Sequence, residues 1–425
     1  MTRPREATTR RGLIKYAGVT GVGVPATAGL AAYLHRNNAG LTVTDGAAGL
    51  LLTWQRDPTT TMTVDWHTTP DQDATTLEYA RADADDWQPV AADSWPFPHS
   101  RRTVHRVELT GLEPATEYDF QIPALEERYT FRTMPETVSA EDPLTVATGG
   151  DTMHTWKFLA EMNQVIATRD PDFVQWGGDL AYADGLRYNV VAWYEWFAVN
   201  KHTLVTDAGR ILPVVPVIGN HDVRGEYYHE HDDYEQTDAY RRSMAPFVYD
   251  LLAFPGQPGY GVLDFGEYLS LVALDSNHSN PIEGAQTEWL EDCLAERADV
   301  DHVVPSYHVP AFPSDRSLED RNVRAVRETW PPVFEAHDVD LVLEHHDHVY
   351  KRTVPIRAEG EDETGVVYTG DGAWGVETRS AANSDQWYIA DYDTGRHGKI
   401  LRIDDTSIAV EAIGTDGETI DSFEV

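Results

Sequence analysis

Leu341-Val342-Leu343-Glu344-His345-His346-Asp347-His348 is an apolar run of strand length that stops abruptly in imidazoles and a carboxylate. If the chain stays extended past the run, His346 and His348 lie two residues apart, so both rings leave the same side with Cα atoms roughly 6.6 Å apart. That separation lets each ring reach a different ion of a pair about 3.5 to 4 Å apart. Toward the N-terminus four more apolar runs end in the same way. Val303-Val304-Pro305-Ser306-Tyr307 leads into His308, and Ile211 to Ile218 leads into Gly219-Asn220-His221-Asp222. Phe173-Val174-Gln175-Trp176 leads into Gly177-Gly178-Asp179-Leu180-Ala181-Tyr182-Ala183-Asp184, and Leu144-Thr145-Val146-Ala147-Thr148 into Gly149-Gly150-Asp151. Helical patterns separate these runs, which predicts an α/β domain over 144–425. Polar groups at the C-terminal edges of adjacent strands converge in one crevice, where open α/β sheets hold their ligands.

Upstream the pattern changes. From 41 to 135 short runs of β type alternate with turn signals, among them Met62-Thr63-Val64-Asp65-Trp66, Val104 to Leu109, Tyr118 to Ile122 and Tyr129 to Thr133. This spacing predicts an all-β sandwich. Thr110-Gly111-Leu112-Glu113-Pro114-Ala115-Thr116-Glu117-Tyr118 resembles the corner of a fibronectin type III-like domain, where a tyrosine hydroxyl ties a loop back to the backbone. Trp66 then reads as a core tryptophan, and the domain as a spacer packed on its neighbour rather than a binding module. A polar, Pro-containing linker is expected over 136–143.

The chain has 425 residues, enough for two or three domains plus a targeting segment. Its formal charge is −38, from 71 Asp and Glu against 33 Lys and Arg, and the lysines are only Lys15, Lys157, Lys201, Lys351 and Lys399. Self-repulsion on that scale strains a compact fold at ordinary ionic strength, whereas molar salt shortens the Debye length to roughly 3 Å. A halophilic surface is therefore expected. The same acidity argues against nucleic acid as a stable partner, which needs clustered Lys and Arg, and against anionic membrane surfaces. Cys293 stands alone, which excludes an intramolecular disulfide and a cysteine-based zinc site, and its helical spacing with Trp289 and Leu290 makes it a core residue. Within 1–40, Thr9-Arg10-Arg11-Gly12-Leu13-Ile14-Lys15 precedes a Gly/Ala/Val-rich stretch from Tyr16 to Leu34, the layout of a twin-arginine export signal. Cleavage near Ala26-Thr27-Ala28 or retention as an N-terminal anchor both remain open, with an extracellular or cell-surface location either way.

The five clusters, in this order, resemble the calcineurin-like metallophosphoesterases, and within them the purple acid phosphatases. Met153 stands where most relatives have a histidine two after the first Asp, while Tyr182 stands three after Asp179, the spacing of the purple subgroup. Tyr350-Lys351-Arg352, Leu274-Asp275-Ser276 and Gln286-x-x-Trp289-Leu290 are similar to the same family. The resemblance implies two packed mixed β-sheets flanked by helices and a binuclear centre. Asp151, Tyr182 and His348 would hold one ion, Asn220, His308 and His346 the other, with Asp179 bridging. Such ligands suit Fe³⁺ with its phenolate at the first position and Zn²⁺, Mn²⁺ or Fe²⁺ at the second. His221 is then the catalytic candidate, with Asn220 and His221 as substrate contacts, and a metal-bound hydroxide attacks a small phosphate ester in line.

Two departures stand out. His345 replaces the family's Gly, so either the turn relaxes or the side chain projects toward the site. Ala311 to Glu319 lacks the histidine pair of the family's plant members and offers Asp315 and Arg316 instead, leaving the leaving-group acid unassigned. Tyr227-Tyr228-His229-Glu230-His231-Asp232-Asp233 reads as a solvated loop rather than a third metal site. Gly370-Asp371-Gly372-Ala373-Trp374 reads as a glycine-rich loop at the rim, with Trp374 a wall of the pocket. The expected activity is a broad-specificity phosphomonoesterase acting on extracellular organic phosphates. A phosphodiesterase or nucleotidase using the same ions is the nearest rival, and a surface adhesion protein with an inactive enzyme domain is the rival of another class.

Overall fold

The computed structural model describes residues 46–230, 235–370 and 372–425. The twin-arginine segment lies outside them, and among the described residues no helix is long and apolar enough to cross a membrane.

The β-rich N-terminal part is a sandwich of two four-stranded sheets. One contains Gly49–Thr53, Thr61–Thr68, Thr103–Thr110 and Asp93–Pro96; the other contains Gln88–Ala91, Thr76–Arg81, Glu117–Ile122 and Glu127–Arg132. Alternation decides which face is inside: Tyr118, Phe120 and Ile122 are buried while their neighbours are not. The Tyr118 hydroxyl accepts the Glu113 N–H at 2.9 Å, the expected tyrosine corner. Trp66 is fully buried and its indole N–H donates to the Ala74 carbonyl at 2.8 Å.

The sandwich is docked on the following domain. Trp54 meets Phe173 and Phe265 edge-on at 5.5 and 5.8 Å, and those two rings stack at 5.0 Å. Lys201, buried on the helix Val190–Thr203, donates to the Ala47 carbonyl at 2.9 Å and pairs with Glu127 at 2.6 Å. A buried ammonium is tolerated only with such partners.

The second domain has four layers. Its six-stranded sheet places Val214–Pro216, Phe173–Trp176 and Leu144–Gly149 in parallel, then turns antiparallel through His397–Ile403, Ile408–Gly414 and Thr419–Glu424. Its seven-stranded sheet places Leu269–Ala273, His302–Ser306, Leu341–Glu344 and Val367–Gly370 in parallel, with antiparallel strands at both edges. In Phe173–Trp176, Phe173 packs between the sheets and Val174 and Trp176 under the helices, as period 2 requires. Leu341 and Leu343 likewise face the inter-sheet core while Val342 faces the helices of the other side, where Cys293 is buried. Helix Trp156–Ala167 is capped by Thr155, whose side chain accepts the Phe158 N–H, and buries Leu159, Met162, Asn163 and Ile166 on one stripe. The two sheets are stitched beneath their C-terminal edges by Gln175, which accepts from Thr148 Oγ1 at 2.6 Å and donates to Ser306 Oγ at 2.7 Å. That bond lies directly under the polar clusters.

Candidate metal centre

All five clusters meet at this shared edge. Asp151, Asp179, His308 and His346, every one buried, bring ligand atoms within 4.8 Å of one another. On one side His348 Nε2 is 3.0 Å from Asp151 Oδ1, and the Tyr182 hydroxyl is 3.1 Å from the same oxygen and 3.4 Å from His348 Nε2. On the other side His308 Nε2 lies 3.2 Å from Asp179 Oδ2, 3.1 Å from Asn220 Oδ1 and 3.0 Å from His346 Nδ1. Asp179 stands between the two groups.

The backbone that achieves this is not what an extended chain would give. Asp151, Asp179, Tyr182, His346 and His348 have φ of 56°, 51°, 52°, 75° and 57°. Non-glycine residues in this left-handed region cost on the order of 1 kcal/mol or more each and cluster where function needs them. The expectation of an extended His346–His348 pair is therefore corrected. The strand ends at Glu344, and left-handed residues fold the chain back, so the rings present different nitrogens, Nδ1 of His346 and Nε2 of His348.

The other ring nitrogens fix the tautomers. His308 Nδ1 donates to the Gly177 carbonyl at 2.7 Å and His348 Nδ1 to the Glu377 carbonyl at 2.9 Å, leaving each Nε2 lone pair aimed inward. His346 Nε2 faces the Tyr227 hydroxyl at 3.4 Å. Burial, helped by the Arg316 and His308 charges, holds His346 well below the ordinary histidine range, in the neutral form a ligand requires. Burial would lower His308 too, yet the Asp179 and Asp151 carboxylates push it up to about 9. A proton is thus held where those carboxylates would hold a cation. Asp222 is pushed up to about 7 by burial and by Asp179. Burial and Asp151 raise the Tyr182 phenol well above the tyrosine range, so a phenolate there needs a strong cation beside it. Crowded negative charge, imidazoles oriented through their second nitrogen and hard oxygen donors fit metal ions.

His221 sits beside this cluster. Its backbone N–H donates to Asp179 Oδ1 at 2.7 Å, its Nδ1 pairs with Asp184 at 2.7 Å, and its ring stacks on Tyr182 at 4.5 Å. Burial opposes its charged form, but Asp179 and Asp184 raise its pKa.

Two sequence expectations need correction. His345 neither relaxes a turn nor points into the site. It is buried, donates its backbone N–H to the His308 carbonyl at 3.0 Å, and lays its ring against Gly150 and Gly177. A Cβ on Gly177 would fall 1.8 Å from that ring, so the glycine of one cluster makes room for the histidine of another. Trp374 is not a pocket wall. It is fully buried, donates to Asn163 Oδ1 at 2.8 Å and packs on Trp176. Its loop runs against the Asp151 loop rather than the rim: a Cβ on Gly372 would lie 2.5 Å from Asp151 Oδ2 and from the His346 nitrogen.

Several site residues carry no sequence signal of their own. Asp222 accepts N–H bonds from Asp179, Leu180 and Gly219, each at 2.9 Å, and clamps two clusters together. Asp184 orients His221, and both it and Asp222 were visible only as acidic residues trailing a motif. His154 meets Tyr182 at 4.7 Å and accepts the Glu377 N–H at 3.2 Å. Tyr227, read as part of a solvated loop, is instead half-buried against His346 and stacks on His278 at 5.5 Å. His231 to Asp233 lie outside the described residues, and among the described residues the cluster above is the one close group of candidate metal donors.

Residues 144–350 match the calcineurin-like phosphoesterase family, and residues 48–133 the N-terminal domain of purple acid phosphatases. An uncharacterized protein of Mycobacterium tuberculosis is 26% identical over 89% of this chain and 74% of its own length. Purple acid phosphatase 15 of Arabidopsis thaliana is 24% identical over 63% of this chain and 53% of its own. Among solved structures, purple acid phosphatase PPD1 from yellow lupin seeds superposes with a TM-score of 0.72 at 18% identity, covering 89% of this chain and 74% of that one. PhoD superposes with a TM-score of 0.67 at 14% identity, covering 90% and 91%. The fold and the matches define a calcineurin-like metallophosphoesterase, a hydrolase of phosphate esters. Within that class the chain is similar to the purple acid phosphatases, a family whose centre is binuclear.

Proposed function

We propose that this chain is an exported phosphomonoesterase of broad specificity that cleaves extracellular organic phosphates at a two-metal centre. The observation that carries the reading is the convergence of seven side chains, Asp151, Asp179, Tyr182, Asn220, His308, His346 and His348, with the Nε2 atoms of His308 and His348 turned inward by carbonyl partners on Nδ1. Asp151, Tyr182 and His348 would hold an Fe³⁺, Asn220, His308 and His346 a divalent ion, and Asp179 would bridge. When bound, the ions supply an activated water and neutralise phosphoryl charge. The protein's own part is orientation. Asp184 fixes His221 through Nδ1, which leaves Nε2 to donate to a phosphoryl oxygen as charge develops there. Asn220, whose Oδ1 lies 3.1 Å from His308 Nε2, would hold the divalent ion and contact the ester. Steady-state hydrolysis of paired monoester and diester substrates in high salt tests the reading. A monoester preference supports it, and cleavage of the diester alone would replace it with a phosphodiesterase.

The Fe³⁺ assignment rests on Tyr182, whose hydroxyl lies against Asp151 and His348. The purified protein should be coloured, and Tyr182→Phe should abolish the visible charge-transfer band while leaving the second position filled. A colourless, fully active protein loaded with divalent ions alone would refute it.

Export is supported by Arg10 and Arg11 ahead of a weakly apolar stretch. The halophilic reading is supported by where lysine survives: Lys201, Lys351 and Lys399 are all buried, so exposed positive charge is nearly all arginine. Melting temperature should climb steadily from dilute buffer to molar KCl. A gain of a few kcal/mol from screening corresponds to about 3–5 °C for a chain of this size. A melting temperature indifferent to salt would contradict the reading.

A further inference from the structure

Asp347 lies between His346 and His348, yet its carboxylate turns away to a neighbouring loop. Its Oδ2 accepts the Ser314 N–H at 2.6 Å, the Ser314 hydroxyl at 3.2 Å and the Asp315 N–H at 2.9 Å. Asn383 Nδ2 donates to the Arg316 carbonyl at 2.5 Å and to the Pro313 carbonyl at 3.1 Å. The loop is thereby fixed against the metal-donor cluster, and the residue it delivers is an arginine.

Arg316 Nε stands 3.6 Å from Asp347 Oδ1, an ion pair too long to be a hydrogen bond. The Nε is buried and has no hydrogen-bond partner, while the side chain as a whole is 30% exposed. Its ion-pair partner Asp347 stands directly between His346 and His348 and holds the backbone of Ser314 and Asp315, which fixes Arg316 beside the donor cluster. In a chain of formal charge −38 most arginines here are closed onto carboxylates, as Arg106 is on Asp65 and Arg352 on Asp421. Arg316, partly exposed and without a hydrogen bond to its carboxylate partner, keeps donors of its planar fork for an anion.

We propose that Arg316 is a substrate-binding residue that takes an anionic phosphoryl oxygen and so favours dianionic monoesters over monoanionic diesters. The proposal rests on the phosphoesterase reading above and narrows it to a substrate class. A phosphomonoester carries up to two negative charges near neutral pH, and charge-assisted bonds from a guanidinium are the strong ones. The competing account is that Arg316 only offsets the charge of Asp347.

The test uses the metal-loaded protein and its Arg316→Ala and Arg316→Lys variants. Inorganic phosphate affinity is measured by calorimetry, together with metal content and kcat/KM on p-nitrophenyl phosphate and bis(p-nitrophenyl) phosphate. Arg316→Ala should weaken phosphate binding about 10- to 100-fold and lower monoester kcat/KM by a similar factor, with a much smaller effect on the diester and full metal content. Arg316→Lys should recover part of the phosphate affinity. Unchanged phosphate affinity in Arg316→Ala, equal losses on both esters, or loss of metal would overturn the proposal. Should the wild-type protein cleave neither ester, the phosphoesterase reading fails by itself, and the phosphate affinities still decide whether Arg316 binds the anion.

Discussion

Asp179→Ala is expected to lose metal and activity together, with kcat/KM falling on the order of 10⁴-fold or more. Asp179 is buried between the two groups of donors, with Oδ2 at 3.2 Å from His308 and Oδ1 accepting the His221 N–H at 2.7 Å. Removing it takes negative charge from both proposed positions at once and frees the His308 and His221 segments. His221→Ala is the informative contrast, because that ring is held by Asp184 and Tyr182 beside the donors rather than among them. It should keep its metal and lose about 10²- to 10³-fold in kcat/KM, the size of one transition-state donor. Metal analysis with kinetics on the two variants checks both. Full activity in Asp179→Ala, or metal loss in His221→Ala, would exchange their roles.

Asp222→Ala should be among the most destabilising single changes in the chain although Asp222 is not a proposed ligand. Its two oxygens accept three buried N–H groups, from Asp179, Leu180 and Gly219. Each orphaned donor costs about 1–3 kcal/mol, and such costs among neighbours do not simply add. A loss of about 4 kcal/mol is expected, or roughly 5 °C in Tm. The left-handed conformation of Asp179 also depends on this clamp, so metal affinity should weaken with it. Asp222→Asn keeps an acceptor and should lie between. Thermal melts with and without added metal measure both effects, and a wild-type melt with wild-type metal affinity would show that the clamp is dispensable.

Much of the architecture was legible because burial has a period. Apolar runs ending in Asp151, Asp179, Asn220, His308 and His346 are strands whose ends share one edge, and the alternation around Tyr118 and Trp66 marks a sandwich. What escaped were features set by the third dimension. Five left-handed residues cannot be read from Asp, Tyr or His, which enter that region only when surrounding contacts hold them there. The fate of His345 was decided by Gly150 and Gly177, far away in sequence, and that of Trp374 by Asn163 on a helix. Tyr227 and Arg316 sit in loops whose polar composition looks solvated, and only the Asp347 tether brings Arg316 to the site.

Anomalous X-ray scattering from crystals of the metal-loaded protein, recorded across the iron edge and the edge of the divalent ion, tests the two-metal centre most directly. The account predicts two peaks about 3.5 to 4 Å apart with Asp179 between them, the iron beside Tyr182 and the other ion beside Asn220. A single peak, or two peaks away from Asp179, would contradict it.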